Sequence, residues 1–244
     1  MKSANILFFF IGLTLCISCN SNNEALERGM SELQNKEYEK AIISFKKGLE
    51  NEPEQTELYH YGLANCYYYL EEYKSAEGHL SQTISIDNNH RDSYWLMARI
   101  FSKNNELNKS LGYYSKAISI NSNSMLFASR GLIYLRMGEY GLALTDLDRA
   151  IEQNPNDQYA LSNRGLVKVK LNMLNEASVD LQKSLQIDKD NPYAYKHFAI
   201  LNLAHQDTTE ACRNLQLSKE KGYFTFGNEI DKNEVNDLLK LYCK

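Results

Sequence analysis

The sequence predicts an all-α chain in which six helical hairpins stack into a solenoid and a C-terminal helix caps the pile. Three observations predict it. Columns of small residues recur in phase, apolar residues within each period fall three and four positions apart, and only 3 prolines and 12 glycines interrupt 244 residues. One small column reads Gly29, Ala64, Ala98, Gly131, Gly165, Ala199, and a second reads Ala41, Ala76, Ser110, Ala143, Ala177, Ala211. A larger column (Phe45, Leu80, Tyr114, Leu147, Leu181, Leu215) and another small one (Gly48, Thr83, Ala117, Ala150, Ser184, Ser218) keep the same steps of 35, 34, 33, 34 and 34 residues.

The first element lies before the repeats. Met1 to Asn5 carries one basic side chain, Lys2, and Ile6 to Ile17 is almost wholly apolar. A transmembrane helix needs roughly 20 apolar residues, so this run reads as the h-region of an export signal. Its end, Cys16-Ile17-Ser18-Cys19, resembles the lipobox of bacterial lipoprotein signal peptides, apart from Cys16 where that family usually has Leu. The resemblance implies cleavage after residue 18 and lipidation of Cys19, with several acyl chains holding the protein on a membrane it does not cross. Plain cleavage near Ser18 or Ser21, giving a soluble periplasmic protein, is the alternative. Residues 19–23 form a polar tether, and removal of residues 1–18 leaves a net charge of -5.

Each hairpin follows from its own pattern. Leu142, Leu144, Leu147 and Ile151 show the helical period, and the first two small columns lie 12 residues apart, one on each helix, where small side chains let the backbones approach. Pro53 and Pro155 follow second helices at one repeat phase, while Asn191-Pro192 is an N-cap followed by Pro in the first turn. The period, with segments such as Glu37-Tyr38-Glu39-Lys40-Ala41-Ile42 and Glu139-Tyr140-Gly141-Leu142-Ala143-Leu144, resembles the tetratricopeptide repeat. Six repeats are expected within 22–225, at 22–55, 57–90, 91–123, 124–157, 158–191 and 192–225, in a right-handed solenoid. The third and sixth have Leu107 and Thr208 where the others have an aromatic before the small residue. Stacked repeats need an end cap, which residues 226–244 supply. Asp231-Lys232-Asn233-Glu234 reads as a capping box with Ile230 and Val235 at staple spacing, and Val235, Leu238, Leu239 and Tyr242 make one helical stripe.

Composition and motifs bound the chemistry. With 27 basic against 31 acidic residues, the chain lacks the positive excess of a nucleic-acid binder. His197 and His205 are eight residues apart on one helix, about 12 Å, too far for one ion. His60, His79 and His90 read as ordinary packing or surface residues. Neither a phosphate loop nor any hydrolase or zinc motif occurs, so no enzyme activity, metal or cofactor is expected. Cys66 falls on a core phase. Cys212 and Cys243 sit on the last repeat's second helix and near the end of the capping helix, and an oxidising compartment would allow them to pair; two unpaired thiols are the alternative.

The resemblance further implies that first helices line a concave groove. Its candidate residues are Tyr61, Asn65, Tyr68 and Tyr69 in the second repeat and Trp95 and Arg99 in the third, followed by Leu132 and Arg136 in the fourth and Tyr159 and Leu166 in the fifth. Tyr and Trp offer area with few rotors to freeze, and Asn65, Arg99 and Arg136 would bond a backbone or carboxylate. The chaperone-tail clamp of some relatives is disfavoured, because Tyr61 stands where its Lys would precede Asn65. The expected function is a non-catalytic adaptor for a protein or peptide in the bacterial cell envelope, on the periplasm-facing outer membrane. The alternative is a structural assembly subunit using its convex face or end cap. Carbohydrate would also stack on such rings, although nothing further in the sequence supports it.

Overall fold

The computed structural model describes residues 24–51, 53–223 and 229–243. The expected export signal (1–18), the expected lipidation site Cys19 and the expected tether (19–23) lie outside the described residues. Five hairpins begin at α1 (Glu24–Gln34) with α2 (Tyr38–Asn51), α3 (Thr56–Tyr69) with α4 (Tyr73–Ile86), and α5 (Arg91–Lys103) with α6 (Leu107–Ile120), and continue with α7 (Ser124–Met137), α8 (Tyr140–Gln153), α9 (Gln158–Lys170) and α10 (Leu174–Ile187). A sixth pairs α11 (Pro192–Ala204) with α12 (Thr208–Glu220), and α13 (Glu229–Tyr242) follows. Among the described residues no strand occurs, and no helix is long and apolar enough to cross a membrane. The chain is an all-α solenoid.

The columns form its spine. Members of the second and third columns are 0–4% exposed, from Ala41 and Phe45 to Ala211 and Leu215, and Gly29, Gly131, Gly165 and Gly48 are buried beside them. Small residues are required where large ones approach: a β-carbon on Gly29 would stand 2.5 Å from the Phe45 ring, and one on Gly165 would stand 2.7 Å from Leu181. At roughly 25 cal/mol per Å², these buried side chains supply the stacking free energy that a lone hairpin lacks.

Every hairpin turns in the same way. Lys36, Glu71, Asn105, Gly138, Asn172 and Gln206 all have positive φ, between 60° and 80°, and recur at the same steps as the columns. Each allows the following residue to donate back across the turn, as in Glu72 N to Tyr67 O at 2.9 Å and Met173 N to Lys168 O at 2.8 Å, which satisfies a last-turn carbonyl. The corner is therefore set by the backbone, and Leu107 and Thr208 open α6 and α12 without an aromatic. First helices from the third repeat onward are capped at their N-termini by His90, Asn123, Asp157 and Asn191.

The end of the array differs in one detail from the sequence expectation. α13 starts at Glu229, so Asp231 lies inside its first turn and is not the residue preceding the helix. Val235 is fully buried against Ala199, Leu215 and Tyr223, with Leu238 and Leu239 packed around them. Cys212 and Cys243 are disulfide-bonded with α-carbons 5.3 Å apart, joining α12 to the end of α13.

Candidate functional site

First helices of successive hairpins touch one another, α1 with α3, α3 with α5, α7 with α9 and α9 with α11, and no pair of second helices packs as closely. That side of the stack is the shorter one. It is the inner face, and its lining comes from the solvent-facing phase of α3, α5, α7 and α9.

Two groups of groove candidates emerge. Large apolar side chains remain open on this face: Leu58 is 43% exposed, Tyr69 38%, Met125 46%, Leu132 39% and Tyr159 48%. Other candidates lie behind them. Tyr68 is 6% exposed and Leu166 9%, so these two expected groove residues are floor and not open surface, because at those phases the neighbouring hairpin already covers the side chain. Asn65 is turned inward on its own helix, its Nδ2 donating to Tyr61 O at 2.8 Å.

Aromatic groups are tied together across repeats. Tyr69 stacks on Tyr38 with centroids 5.2 Å apart and planes 10° from parallel, and it meets Tyr68 edge-on at 5.5 Å. Tyr61 lies 4.7 Å from the His90 ring, and desolvation by burial raises its phenol pKa. Further along, Tyr159 meets Tyr193 edge-on at 5.9 Å. These contacts fix the rings before any ligand arrives, which lowers the entropy lost on binding.

Cationic groups interleave with the rings. The Arg99 guanidinium sits 4.7 Å from the Tyr68 centroid and 4.7 Å from that of Trp95. Arg136 reaches back one repeat, donating to Ser102 Oγ at 2.8 Å and Asn105 Oδ1 at 3.0 Å. Helical phase places Ser102 on the groove beside Arg99, whereas Tyr38, His90 and Asn105 were not expected at this site. Asn105 belongs to a turn and Tyr38 opens a second helix, and neither position is marked by the phase of the first helices.

Other side chains on these helices are structural. Arg130 and Arg164 grip Asp146 and Asp180 in two-point ion pairs, and Lys168 adds a third donor to Asp180 at 2.7 Å. His60 and His79, expected to be ordinary packing or surface residues, pair with Nδ1 atoms 2.9 Å apart, and the Tyr67 ring stacks on His79. His197 is buried, with Nδ1 3.0 Å from the Ser162 carbonyl. Burial pushes the Cys66 thiol up to about 12, which makes it a poor nucleophile. Among the described residues no group of three or more metal-ligating side chains converges.

Comparisons with known proteins agree with this architecture. Residues 131–172 match a family model described as TPR repeat, and residues 92–124 one described as Tetratricopeptide repeat. The chain is 28% identical over 102 residues to BBSome complex member BBS4 of Bos taurus, a match covering 41% of this chain and 20% of that protein. It spans about a fifth of the length of the curated relatives it matches. The solved structure of PilW, described as a widely conserved type IV pilus biogenesis factor, superimposes with a TM-score of 0.71 at 18% identity over 88% of this chain and 99% of that one. YrrB, described as a TPR protein with an unusual peptide-binding site, gives 0.59 at 18% identity over 79% and 97%. At such identities the likeness to both structures is one of fold. Residues 92–124 and 131–172 thus match tetratricopeptide repeats, and the chain as a whole shares the stacked α-solenoid fold of these structures.

Proposed function

We propose that this chain is a non-catalytic adaptor whose inner face, built on the array 22–225 and closed by the cap 226–244, grips an extended segment of a protein partner at the bacterial cell envelope. One observation carries the reading. Leu58 and Tyr69 on α3, Met125 and Leu132 on α7 and Tyr159 on α9 remain between 38% and 48% exposed, apolar surface that folding leaves uncovered on either side of α5. Solvated apolar surface of this extent is what a partner side chain would desolvate. The stacked rings and anchored arginines between them supply a rigid frame, and the peptide-binding site named for YrrB is a precedent on the same fold.

Export and anchoring belong to the same reading. They are supported by the n-region and h-region of residues 1–18, by the lipobox-like Cys16-Ile17-Ser18-Cys19, and by the Cys212 to Cys243 disulfide, a bond that oxidising compartments maintain. We place the protein on the periplasm-facing outer membrane through lipidated Cys19. Acyl labelling of the wild type and of Cys19→Ala tests this, and equal labelling of both would remove the anchor.

Photo-crosslinking from position 132 in intact cells, followed by mass spectrometry, tests the groove. A partner captured there and lost in the Trp95→Ala/Tyr61→Ala double variant supports the adaptor role. A second reading has its own observation: Ile43, Leu142 and Val179 on second helices are 69%, 51% and 63% exposed. An assembly subunit working through that face or the cap would ignore the groove double variant and lose assembly on deletion of residues 222–244.

A further inference from the structure

Arginines on the first helices are treated in two ways. Arg130 and Arg164 are matched by aspartates, with both Asp146 oxygens 2.7 and 2.9 Å from Arg130 and both Asp180 oxygens 2.8 and 2.6 Å from Arg164. Among the described residues Arg99 and Arg136 have no carboxylate partner. Arg136 donates only to neutral oxygens of Ser102 and Asn105. Half-buried Arg99 makes neither hydrogen bond nor ion pair among the described residues; its guanidinium lies over the rings of Tyr68 and Trp95, 4.7 Å from each centroid.

A guanidinium packed on aromatic rings is partly desolvated, while its planar fork of N–H donors can still bond at the edge. That edge offers charge-assisted bonds in the geometry of a carboxylate. The two arginines are neighbours, because Arg136 bonds Ser102 at 2.8 Å, one helical turn beyond Arg99 on α5, and both oppose the rise that burial gives the Tyr114 pKa. The acids nearby do not neutralise them. Asp92 is bound to Arg91 at 2.7 Å, and Glu71, which faces Tyr68 and Tyr73 from an exposed turn, pairs with neither arginine. In a chain of formal net charge -4, the centre of the inner face is therefore locally positive.

Building on the groove reading, we propose that Arg99 and Arg136 form an acid-reading subsite midway along the groove, and that the segment it takes carries an internal aspartate or glutamate between apolar residues. The position of the subsite favours a side chain over a chain terminus. Open apolar surface continues on both sides, with Leu58 and Tyr69 before it and Met125, Leu132 and Tyr159 after it. A terminal carboxylate seated at Arg99 would leave one of these stretches empty.

Trp95, the sole tryptophan of the chain, lies against Arg99 and reports on the subsite by fluorescence. Three leucine- and alanine-containing peptides serve as probes: one blocked at both ends with a central glutamate, its glutamine counterpart, and the glutamine peptide with a free C-terminal carboxylate. The glutamate peptide is expected to bind about tenfold tighter than the blocked glutamine peptide, the scale of one charge-assisted bond. Arg99→Gln abolishes this preference, and Arg99→Lys, which keeps the charge and loses the planar fork, retains only part of it. Leu132→Ala, which changes no charge, weakens all three peptides alike and measures the groove independently. Equal binding of the two blocked peptides, or tightest binding of the free-acid peptide, overturns the subsite while the adaptor role stands on Leu132. Failure of all three peptides to bind, with the crosslink from position 132 intact, overturns the subsite alone.

Discussion

Gly48 on α2 lies against the ring of Tyr59 on α3, so close that a β-carbon on the glycine would stand 2.1 Å from the ring. Volumes are exchanged across this joint from repeat to repeat. Where Ala117 and Ala150 replace Gly48, the residues at the place of Tyr59 are Leu126 and Ala160, and all four are 0–1% exposed. The ring of Tyr59 is fully buried and cannot swing away, so Gly48→Ala is expected to lower stability by about 1–3 kcal/mol through overpacking. Urea denaturation measures it. Combining Gly48→Ala with Tyr59→Leu should cost less than the two single changes added, because the smaller side chain makes room for the methyl; strict additivity would show that the joint is looser than its geometry.

Much of this joint was legible beforehand, since a buried close approach must repeat its small residue in every period and therefore leaves a column. The turns were less legible. Lys36, Glu71 and Gln206 adopt positive φ with side chains that carry no preference for it, so only Gly138, Asn105 and Asn172 gave any hint. Tyr68 shows the limit for the site: its phase points inward along the groove, yet the next hairpin closes over it, and burial by a neighbouring repeat is not written in one helix's periodicity. Arg99 was legible as a groove residue. Its lack of an acid was not, because the matching of Arg130 to Asp146 spans 16 residues and two helices.

These turns give paired expectations of opposite sign. Gly138 has φ 80° and open space where a β-carbon would sit, so Gly138→Ala should cost about 1 kcal/mol from backbone strain alone. Glu71 has φ 61° and already bears that strain. Glu71→Gly is expected to stabilise by about 0.5–1 kcal/mol, the relief being partly offset by glycine's larger unfolded-state entropy. A loss of stability in Glu71→Gly, read from thermal unfolding, would show that its side chain holds the turn.

At the other end, the cap is held by covalent, ionic and apolar links together. Lys196, 5% exposed, donates to Tyr223 Oη at 2.9 Å and to Glu234 at 2.6 Å, which ties α11 to α13. Glu234 is half open to water, so Glu234→Ala should cost only about 1–2 kcal/mol, below the figure for a fully buried pair. Cys243→Ser frees a loop whose ends are 31 positions apart and is expected to cost roughly 3–4 kcal/mol by chain entropy. Hydrogen exchange should show α13 opening ahead of the repeats in both variants. Uniform loss of protection along the chain would mean that cap and array unfold as one.

Acid should destabilise the array through His197. Its ring is fully enclosed between α9 and α11, and burial, with Lys196 nearby, lowers its pKa from 6.5 to about 3. The Nδ1–H donates to the Ser162 carbonyl, a bond available to the neutral ring, so protonation gains no new acceptor there. Below pH 6.5 the unfolded chain takes up a proton that the folded protein refuses, and the unfolded state is favoured by about 1.4 kcal/mol for each further pH unit down to about pH 3. By pH 4.5 the loss from this residue alone amounts to roughly 2–3 kcal/mol. His60 and His79, whose pKa values are also lowered by burial, add to the loss with the same sign. His197→Gln removes the titrating group, so its stability should be lower than wild type at pH 7.5 yet fall less steeply between pH 6.5 and 4.5. Denaturant melts at fixed pH steps measure both slopes, and identical slopes in the two proteins would show that His197 takes its proton without unfolding the array.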